Sequence, residues 1–448
     1  MNNAINIIGS GLSGPLLATM LAKKHNCYIN MYERSSDCRE SEMYSGRSIN
    51  LALSERGINA LKYVGVFDEY FKSLLIPMYG RTIHYQNGTT SFQPYSNRKE
   101  HFINSISRKD INEILLDASE KTNKVKIMFN KKCTKVDFKK NNIHFENSII
   151  HSNSPIIGAD GYKSVVAMEI SNNYKINMDY VDIEHSYKEL TIKTKNNKFQ
   201  LDPNSLHIWP RRDMMMIALP NKDKSFTCTL FMKSIGENSF ESLQTDKELI
   251  IFFEENFKDL ISKVDNLSDS YFNNPVGKLI GLQTPKWYYK NKALIIGDAA
   301  HATVPFYGQG MNAAFEDCYI FSNIIKKNEG FDNWQTIFSK YEHNRKKDAD
   351  TVLKLSMDNY KIMRNDVLDE NFLMKQKTSF LLNKKFPNQF IPLYTMISFT
   401  NIPYHQAFQR HKIQENILNE LLNYDFNNYD ELKLEEFINK NLDKITYN

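Results

Sequence analysis

A short apolar run, Ile5–Ile8, leads straight into Gly9–Ser10–Gly11–Leu12–Ser13–Gly14, and Leu16, Leu17, Met20 and Leu21 follow at helical spacing. This is GxGxxG in the strand–turn–helix setting that gives the pattern meaning. Gly9 permits the tight turn, Gly11 lets backbone approach a pyrophosphate, and Gly14 lets helix pack on strand. Pro15 falls in the first helical turn, where its missing N–H would be unpaired anyway. A second strand, Tyr28–Tyr32, delivers Glu33 to its carboxyl end, about 20 residues on, where an acid binds a ribose 2′-hydroxyl. The pattern predicts an α/β, Rossmann-like domain. A carboxylate there repels a 2′-phosphate, so the nucleotide expected is FAD or NAD, not NADP. Arg34, its neighbour, reads as solvated.

A second glycine-rich turn lies far along the chain. The apolar run Ala293–Ile296 has the length of a buried parallel strand. Gly297 and Asp298 follow, then Pro305, Gly308 and Gly310, and from Met311 and Asn312 the pattern is helical through Ala313, Ala314, Phe315, Ile320 and Phe321. A strand, a glycine-rich turn and a helix N-terminus suit an anionic or strongly polar ligand. Asp298, at the strand's carboxyl end, is placed to accept from a ribitol or ribose hydroxyl. His301 reads as a positioned structural histidine rather than a catalytic base. Pro155–Gly161 gives a third strand and polar turn that could return to the dinucleotide.

The chain's 448 residues suffice for two or three structural units. Its 57 Lys and Arg against 52 Asp and Glu leave a mild +5, with the signs interspersed. No Arg-rich tract interleaved with aromatics points to nucleic acid. The 5 cysteines are odd in number, scattered, and lack CxxC spacing, so a disulfide framework or zinc site is not expected and a cytoplasmic protein with reduced thiols is. No stretch approaches a membrane span, and no signal peptide precedes the first strand.

Between the glycine turns, Tyr79–His84 and Ser91–Tyr95 flank Asn87–Gly88, a hairpin signal. Arg81 and Tyr95 on facing strands could converge on a carboxylate, since Arg offers a planar fork of donors. Read alone, an exposed Arg and a packed Tyr is the simpler account. Ser107 is a suitable N-cap for a helix with Ile111, Ile114, Leu115 and Ala118 on its apolar face, and Arg108 near that end can reach a nucleotide. Glu146–Ser154 reads as a polar surface connection. Ser205–Trp209, Met214–Leu219 and Phe226–Met232 suggest an antiparallel sheet, with a helix near Asp246–Phe257. The sequence turns helical over Asp332–Arg364, Glu370–Lys384 and His405–Leu422. The expected division is 1–177 and 275–330 for the nucleotide domain, 178–274 for an inserted antiparallel-sheet substrate domain, and 331–448 for a helical region closing the substrate pocket.

The chain resembles the single-component FAD-dependent aromatic hydroxylases over nearly its whole length. GSGLSG with Glu33, GADG at Gly158–Gly161 and GDAAH at Gly297–His301 are similar to the three flavin motifs of that class. Closer to its kynurenine-hydroxylating members are GRSINLALSERG at Gly46–Gly57, FQPY at Phe92–Tyr95 and LHIWPR at Leu206–Arg211. IALPN at Ile217–Asn221, VPFYGQGMN at Val304–Asn312, MDNYKIMR at Met357–Arg364 and FIPLYTM at Phe390–Met396 match them too. The resemblance implies a tight, non-covalent FAD, NADPH as transient co-substrate, and O2 and L-kynurenine as substrates. It places substrate carboxylate and amine contacts on Arg81, Tyr95, Asn359 and Tyr394, against the simpler reading of the hairpin. It places FAD contacts on Leu12, Glu33, Arg34, Ala52, Arg108, Asp298, Met311 and Asn312, beside Gly9, Gly11, Gly14 and Gly310. No catalytic acid or base is implied, because the substrate's aniline nitrogen already enriches the ring. The missing second GxGxxG fits, since the class reduces FAD without a separate NADPH domain. Two departures stand out: Ala167 where the class usually carries Arg, and Tyr307 for a usual Phe. Eukaryotic members carry a C-terminal membrane anchor, and none is expected here. The alternatives are a related hydroxylase of another aromatic substrate and a non-catalytic flavoprotein sensor.

Overall fold

The computed structural model describes residues 4–40, 50–328, 330–331, 333–422 and 431–445. Residues 46–49 of the GRSINLALSERG stretch, and Asp332 at the expected start of the late helix, lie outside the described residues. The chain forms two compact units of three segments each: Met1–Leu75, Ile106–Ile183 and Leu279–Ser356 in the first, Ile76–Ser105, Glu184–Lys278 and Met357–Asn448 in the second.

The first unit is built on a six-stranded sheet ordered Tyr288–Tyr289, Ala293–Ile295, Ile156–Gly158, Ala4–Ile8, Tyr28–Tyr32, Val125–Met128. All its pairings are parallel except that of Tyr288–Tyr289. Strands buried on both faces read as continuous apolar runs, which is why Ile5, Ile7, Leu294 and Ile295 have no exposed surface. Register fixes what comes next. Ile8 pairs with Tyr32 and with Gly158, and Gly158 pairs with Ile295. The carboxyl ends therefore lie level, and Gly9, Glu33, Asp160 and Asp298 all emerge at one edge of the sheet, where ligands of open α/β sheets bind.

Glu146–Ser154 is corrected by the structure. Ser148–His151 is a strand, paired antiparallel with Asn142–Phe145 in a three-stranded sheet. Ile149 is well exposed and Ile150 half-buried, an alternation shared among polar residues that reads as a loop when only apolar runs are sought.

In the second unit, Asp179–Ile192, Phe226–Lys233, Met214–Pro220 and Ser205–Arg211 form an antiparallel ladder, joined there from His185 onward. Gly80–His84 adds to Ser205–Arg211 in parallel, and Thr90–Pro94 pairs antiparallel with Gly80–His84. That non-local pairing gathers the hairpin into this unit, although it precedes the ladder in sequence by a long interval. The late helices are Trp334–Arg364, Glu370–Lys385, Leu393–Phe399 and Tyr404–Leu422, and the unit boundary falls within the first.

Candidate functional site

At the edge of the parallel sheet, the glycine turn is fitted to its neighbours. A Cβ on Gly9 would stand 2.4 Å from the Ala159 carbonyl oxygen, at a φ of +101° that side chains rarely adopt. One on Gly14 would stand 2.1 Å from the Gly9 oxygen. Gly11 differs: a Cβ there would meet nothing within 4 Å, so the protein's own packing does not demand glycine at that position. The open space over Gly11 leaves room for a pyrophosphate, room that a side chain would fill. Glu33 reaches back to the turn, accepting from Ser10 N at 2.8 Å and from Ser10 Oγ at 3.2 Å. Half-buried and with lone pairs to spare, it keeps an acceptor for a ribose hydroxyl.

Sequence reading missed the residue that holds this turn in place. Asn112, on the Arg108–Glu120 helix, donates through Nδ2 to the carbonyls of Ser10 (3.1 Å) and Gly11 (2.7 Å). Ser107 caps that helix on Asp110 N, and Arg108 is exposed at its first position. A signal existed: Asn112, Leu116 and Ser119 share the buried face of the helix, and a polar residue on a buried face needs a partner.

On the second glycine-rich turn, Asp298 is solvent-accessible yet deeply set. Burial raises its carboxyl above the ordinary value, opposed by Arg108 and His301 and aided by Asp317. Gly308, with φ +66°, abuts Ala52. Asn312 is wholly buried, and its carboxamide is committed: Nδ2 donates to Ala52 O and Gly308 O at 2.8 Å each, and Oδ1 accepts from Ser54 N at 2.9 Å. What Asn312 and Met311 offer a ligand is backbone N–H in the first turn of the Gly310–Lys327 helix. Leu12 and Ala52 are half-buried at the two turns, and Arg34 is exposed.

Behind these turns lies a buried ionic network. His301 Nε2 is 2.6 Å from Asp317 Oδ2, which also accepts from Gly297 N at 3.2 Å. Arg345 Nε donates to Asp317 Oδ1 at 2.8 Å, and Arg345 Nη1 pairs with Glu316 at 2.9 Å. Glu316 in turn accepts from Arg56 at 2.7 Å. Burial pushes the Asp317 carboxyl up, but His301 and Arg345 outweigh it and hold it down at about 2. His301 is therefore a strut of the Gly297 turn. Asp160 of the GADG stretch also works inside the protein, accepting from Ser164 Oγ and Val165 N at the start of the Val165–Tyr174 helix. Burial raises its carboxyl to about 6. Ala167 is fully buried in that helix. Tyr307 is likewise buried.

The second unit carries the other cluster. Arg81 lies 5.6 Å from the ring centre of Tyr95 and 5.2 Å from that of Tyr394, and the two rings stack at 4.7 Å with 13° between their planes. Gln414 fixes the approach to Tyr394, accepting from Ile391 N at 3.0 Å and donating to Ile391 O at 2.8 Å. Asn359 is buried in the Trp334–Arg364 helix. Arg81 Nε and Tyr95 Oη are buried without a formed hydrogen bond, although Tyr394 and Arg81 stand close enough to the phenol to influence it. Burial, with Tyr394, raises the Tyr95 phenol well above its ordinary range, against the pull of Arg81. Arg81 is thus a cation beside two stacked rings, with an inner donor that has no hydrogen bond, an arrangement suited to an anion.

The FAD binding domain family model matches residues 2–356. Kynurenine 3-monooxygenase of Dictyostelium discoideum is 39% identical over 99% of this chain and 99% of its own. That of Flavobacterium johnsoniae is 40% identical over 94% of each. Among solved structures, 2-methyl-3-hydroxypyridine-5-carboxylic acid oxygenase superposes with TM-score 0.65 at 16% identity, covering 85% of this chain and 98% of that one. CtdE in complex with FAD and its substrate gives 0.67 at 15% identity, covering 93% and 100%. These likenesses carry the fold alone. The chain is an FAD-binding flavoprotein monooxygenase and belongs to the kynurenine 3-monooxygenase family. No described helix is long and apolar enough to cross a membrane.

Proposed function

We propose that the protein hydroxylates L-kynurenine to 3-hydroxykynurenine, consuming NADPH and O2, and that Arg81 reads the substrate carboxylate with Tyr95, Tyr394 and Asn359. The observation that carries the reading is the buried, unpaired Arg81 Nε beside the unpaired Tyr95 hydroxyl. Bound FAD would supply the redox chemistry, by which two electrons from NADPH reduce O2 so that one oxygen atom enters the ring and the other leaves as water. The chain's own work is to bind, orient and exclude water. Arg81 offers a fork to the carboxylate, Tyr95 a hydroxyl, and the stacked Tyr95–Tyr394 pair holds the guanidinium in place. The aniline nitrogen activates the ring, so no side chain serves as a strong base. Gly9, Gly11, Gly14, Leu12, Glu33, Arg34, Ala52, Arg108, Asp298, Gly310, Met311 and Asn312 hold the FAD, Asn312 through its backbone. Five free thiols support a reducing, cytoplasmic setting.

Substrate-stimulated NADPH oxidation tests the reading. Oxidation is slow alone and rises sharply with L-kynurenine, with 3-hydroxykynurenine as product. A rise only with another aromatic acid would instead mark a related hydroxylase, and no rise with any would mark a non-catalytic flavoprotein. Denatured protein releases FAD to the supernatant; release of FMN or NAD would overturn the cofactor assignment.

A further inference from the structure

The hairpin carries a second buried polar group without a partner. Gln93 stands directly opposite Arg81 in the antiparallel register, so the two side chains leave the same face of the sheet, and Tyr95 follows two residues later on that face. Burial agrees: Gln93 and Tyr95 are 5% and 4% exposed, while Phe92 is 52% exposed. Gln93 Nε2 faces the Val367 carbonyl at 3.5 Å, a long contact that favours the orientation with nitrogen, not oxygen, toward that carbonyl. Gln93 Oε1 is left buried with no hydrogen-bond partner. A buried amide oxygen in that state is destabilising until something donates to it.

One face of one hairpin thus presents an unpaired donor, Arg81 Nε, and an unpaired acceptor, Gln93 Oε1. A ligand that satisfies both carries an anion and a cationic donor close together, which is the head of an α-amino acid. We propose that Gln93 is a specificity-determining residue, its Oε1 accepting a hydrogen bond from the substrate's α-ammonium while Arg81 takes the α-carboxylate. The assignment rests on Arg81 as carboxylate reader. A neutral acceptor suits the place, because a carboxylate there would pair with Arg81 and take its fork from the substrate.

The test compares three ligands by equilibrium titration of the oxidised holoenzyme: L-kynurenine, its desamino analogue (carboxylate kept, ammonium replaced by hydrogen) and kynuramine (ammonium kept, carboxylate removed). Wild type binds the desamino analogue roughly 10-fold or more weakly than kynurenine. In Gln93→Leu and Gln93→Met that ratio collapses toward 1, while discrimination against kynuramine persists. With kynurenine, KM rises more than kcat falls. Equal weakening of both carboxylate ligands would make Gln93 structural and overturn the proposal. So would a wild-type ratio near 1, which needs no variant to fold, or a ratio unchanged by substitution. Failure of the Arg81 reading shows separately, as wild type binding kynuramine as tightly as kynurenine.

Discussion

The two units treat buried polarity in opposite ways at their functional clusters. Around Asp317 charges answer one another: Arg56, Glu316, Arg345, Asp317 and His301 form a chain of contacts between 2.6 and 2.9 Å. Around Arg81 they do not, and Arg81 Nε, Gln93 Oε1 and Tyr95 Oη stay unpaired. A paired cluster is finished when the chain folds and serves as framework. An unpaired one costs stability until a ligand arrives, and so marks what the protein binds. The contrast teaches that burial alone does not identify a site; unfilled valences of a guanidinium, an amide and a phenol gathered on one face point to one.

The contrast breaks most visibly at Arg345. Removing one partner of a buried network strands the others and typically costs about 3–5 kcal/mol. Arg345→Ala should therefore lower stability by that order in chemical denaturation, releasing FAD as the unit loosens. A change under about 1 kcal/mol would mean that the network is not framework.

Arg81→Ala should do the reverse, sparing stability and harming binding. Truncating one partner of a desolvated charge pair costs about 2–5 kcal/mol, so affinity for L-kynurenine should fall roughly 30-fold or more. Arg81→Lys should recover only part, since an ammonium lacks the fork. Kynuramine separates binding from folding: Arg81→Ala should take it and kynurenine much more evenly than wild type does. Equal loss for both ligands would place Arg81 in the framework class.

The same contrast governs what could be read from sequence. The nucleotide-binding turns were legible because their signal is local: strand, glycines, helix and Glu33 follow one another within one βαβ stretch. Arg81 with Tyr95 and Tyr394 was not legible from spacing, since Tyr394 arrives on a distant helix, and only motif resemblance joined them. The Arg345–Asp317 pair is equally distant, spanning 28 residues and two helices. Gln93 lay hidden between Phe92 and Pro94, because alternation alone does not say which face of a hairpin is buried. Ser148–His151 escaped because its alternation runs through polar residues.

A pH comparison sharpens the framework side. In the second unit His84 Nε2 meets His207 Nδ1 at 2.8 Å and stacks on Trp209 at 4.0 Å. Burial and His207 push the His84 imidazole down from 6.5 to about 4, with Asp259 opposing and Lys263 and Arg211 assisting. The unfolded chain then takes up the proton first, so stability is full above pH 6.5 and falls as pH drops toward about 4. At about pH 5 the full shift corresponds to a loss of about 2 kcal/mol, an upper bound that residual solvent around the ring lowers. Asp317, held at about 2 against an ordinary 3.8, gives way only below pH 3.8. His84→Gln should flatten the stability profile between pH 6.5 and 4 and leave the more acidic fall in place. An unchanged slope would show that His84 is not the group titrating there.

The smallest expected effect tests the cradle at the glycine turn. Asn112 closes no ion pair and fills no large cavity; it gives two hydrogen bonds to the Ser10 and Gly11 carbonyls. Each is worth about 0.5–1.5 kcal/mol net, and water can take over part of the role once the side chain is gone. Asn112→Ala should therefore weaken FAD by about 1–2 kcal/mol, roughly 5- to 30-fold, measured by titrating apoprotein with FAD and following flavin fluorescence. Its influence passes through the shape of the turn, not through contact with the cofactor. Asn112→Asp makes that distinction. It keeps the size but removes the donors and sets a charge against two carbonyl oxygens, so it should weaken FAD more than Asn112→Ala does. Glu33→Arg, which removes the acceptor that Ser10 N uses as well as the one offered to the ribose and places a cation there, should weaken FAD too. If Asn112→Asp instead bound FAD as wild type does, the brace would be dispensable, and the turn would hold its form through the close approach of Gly9 and Gly14 alone.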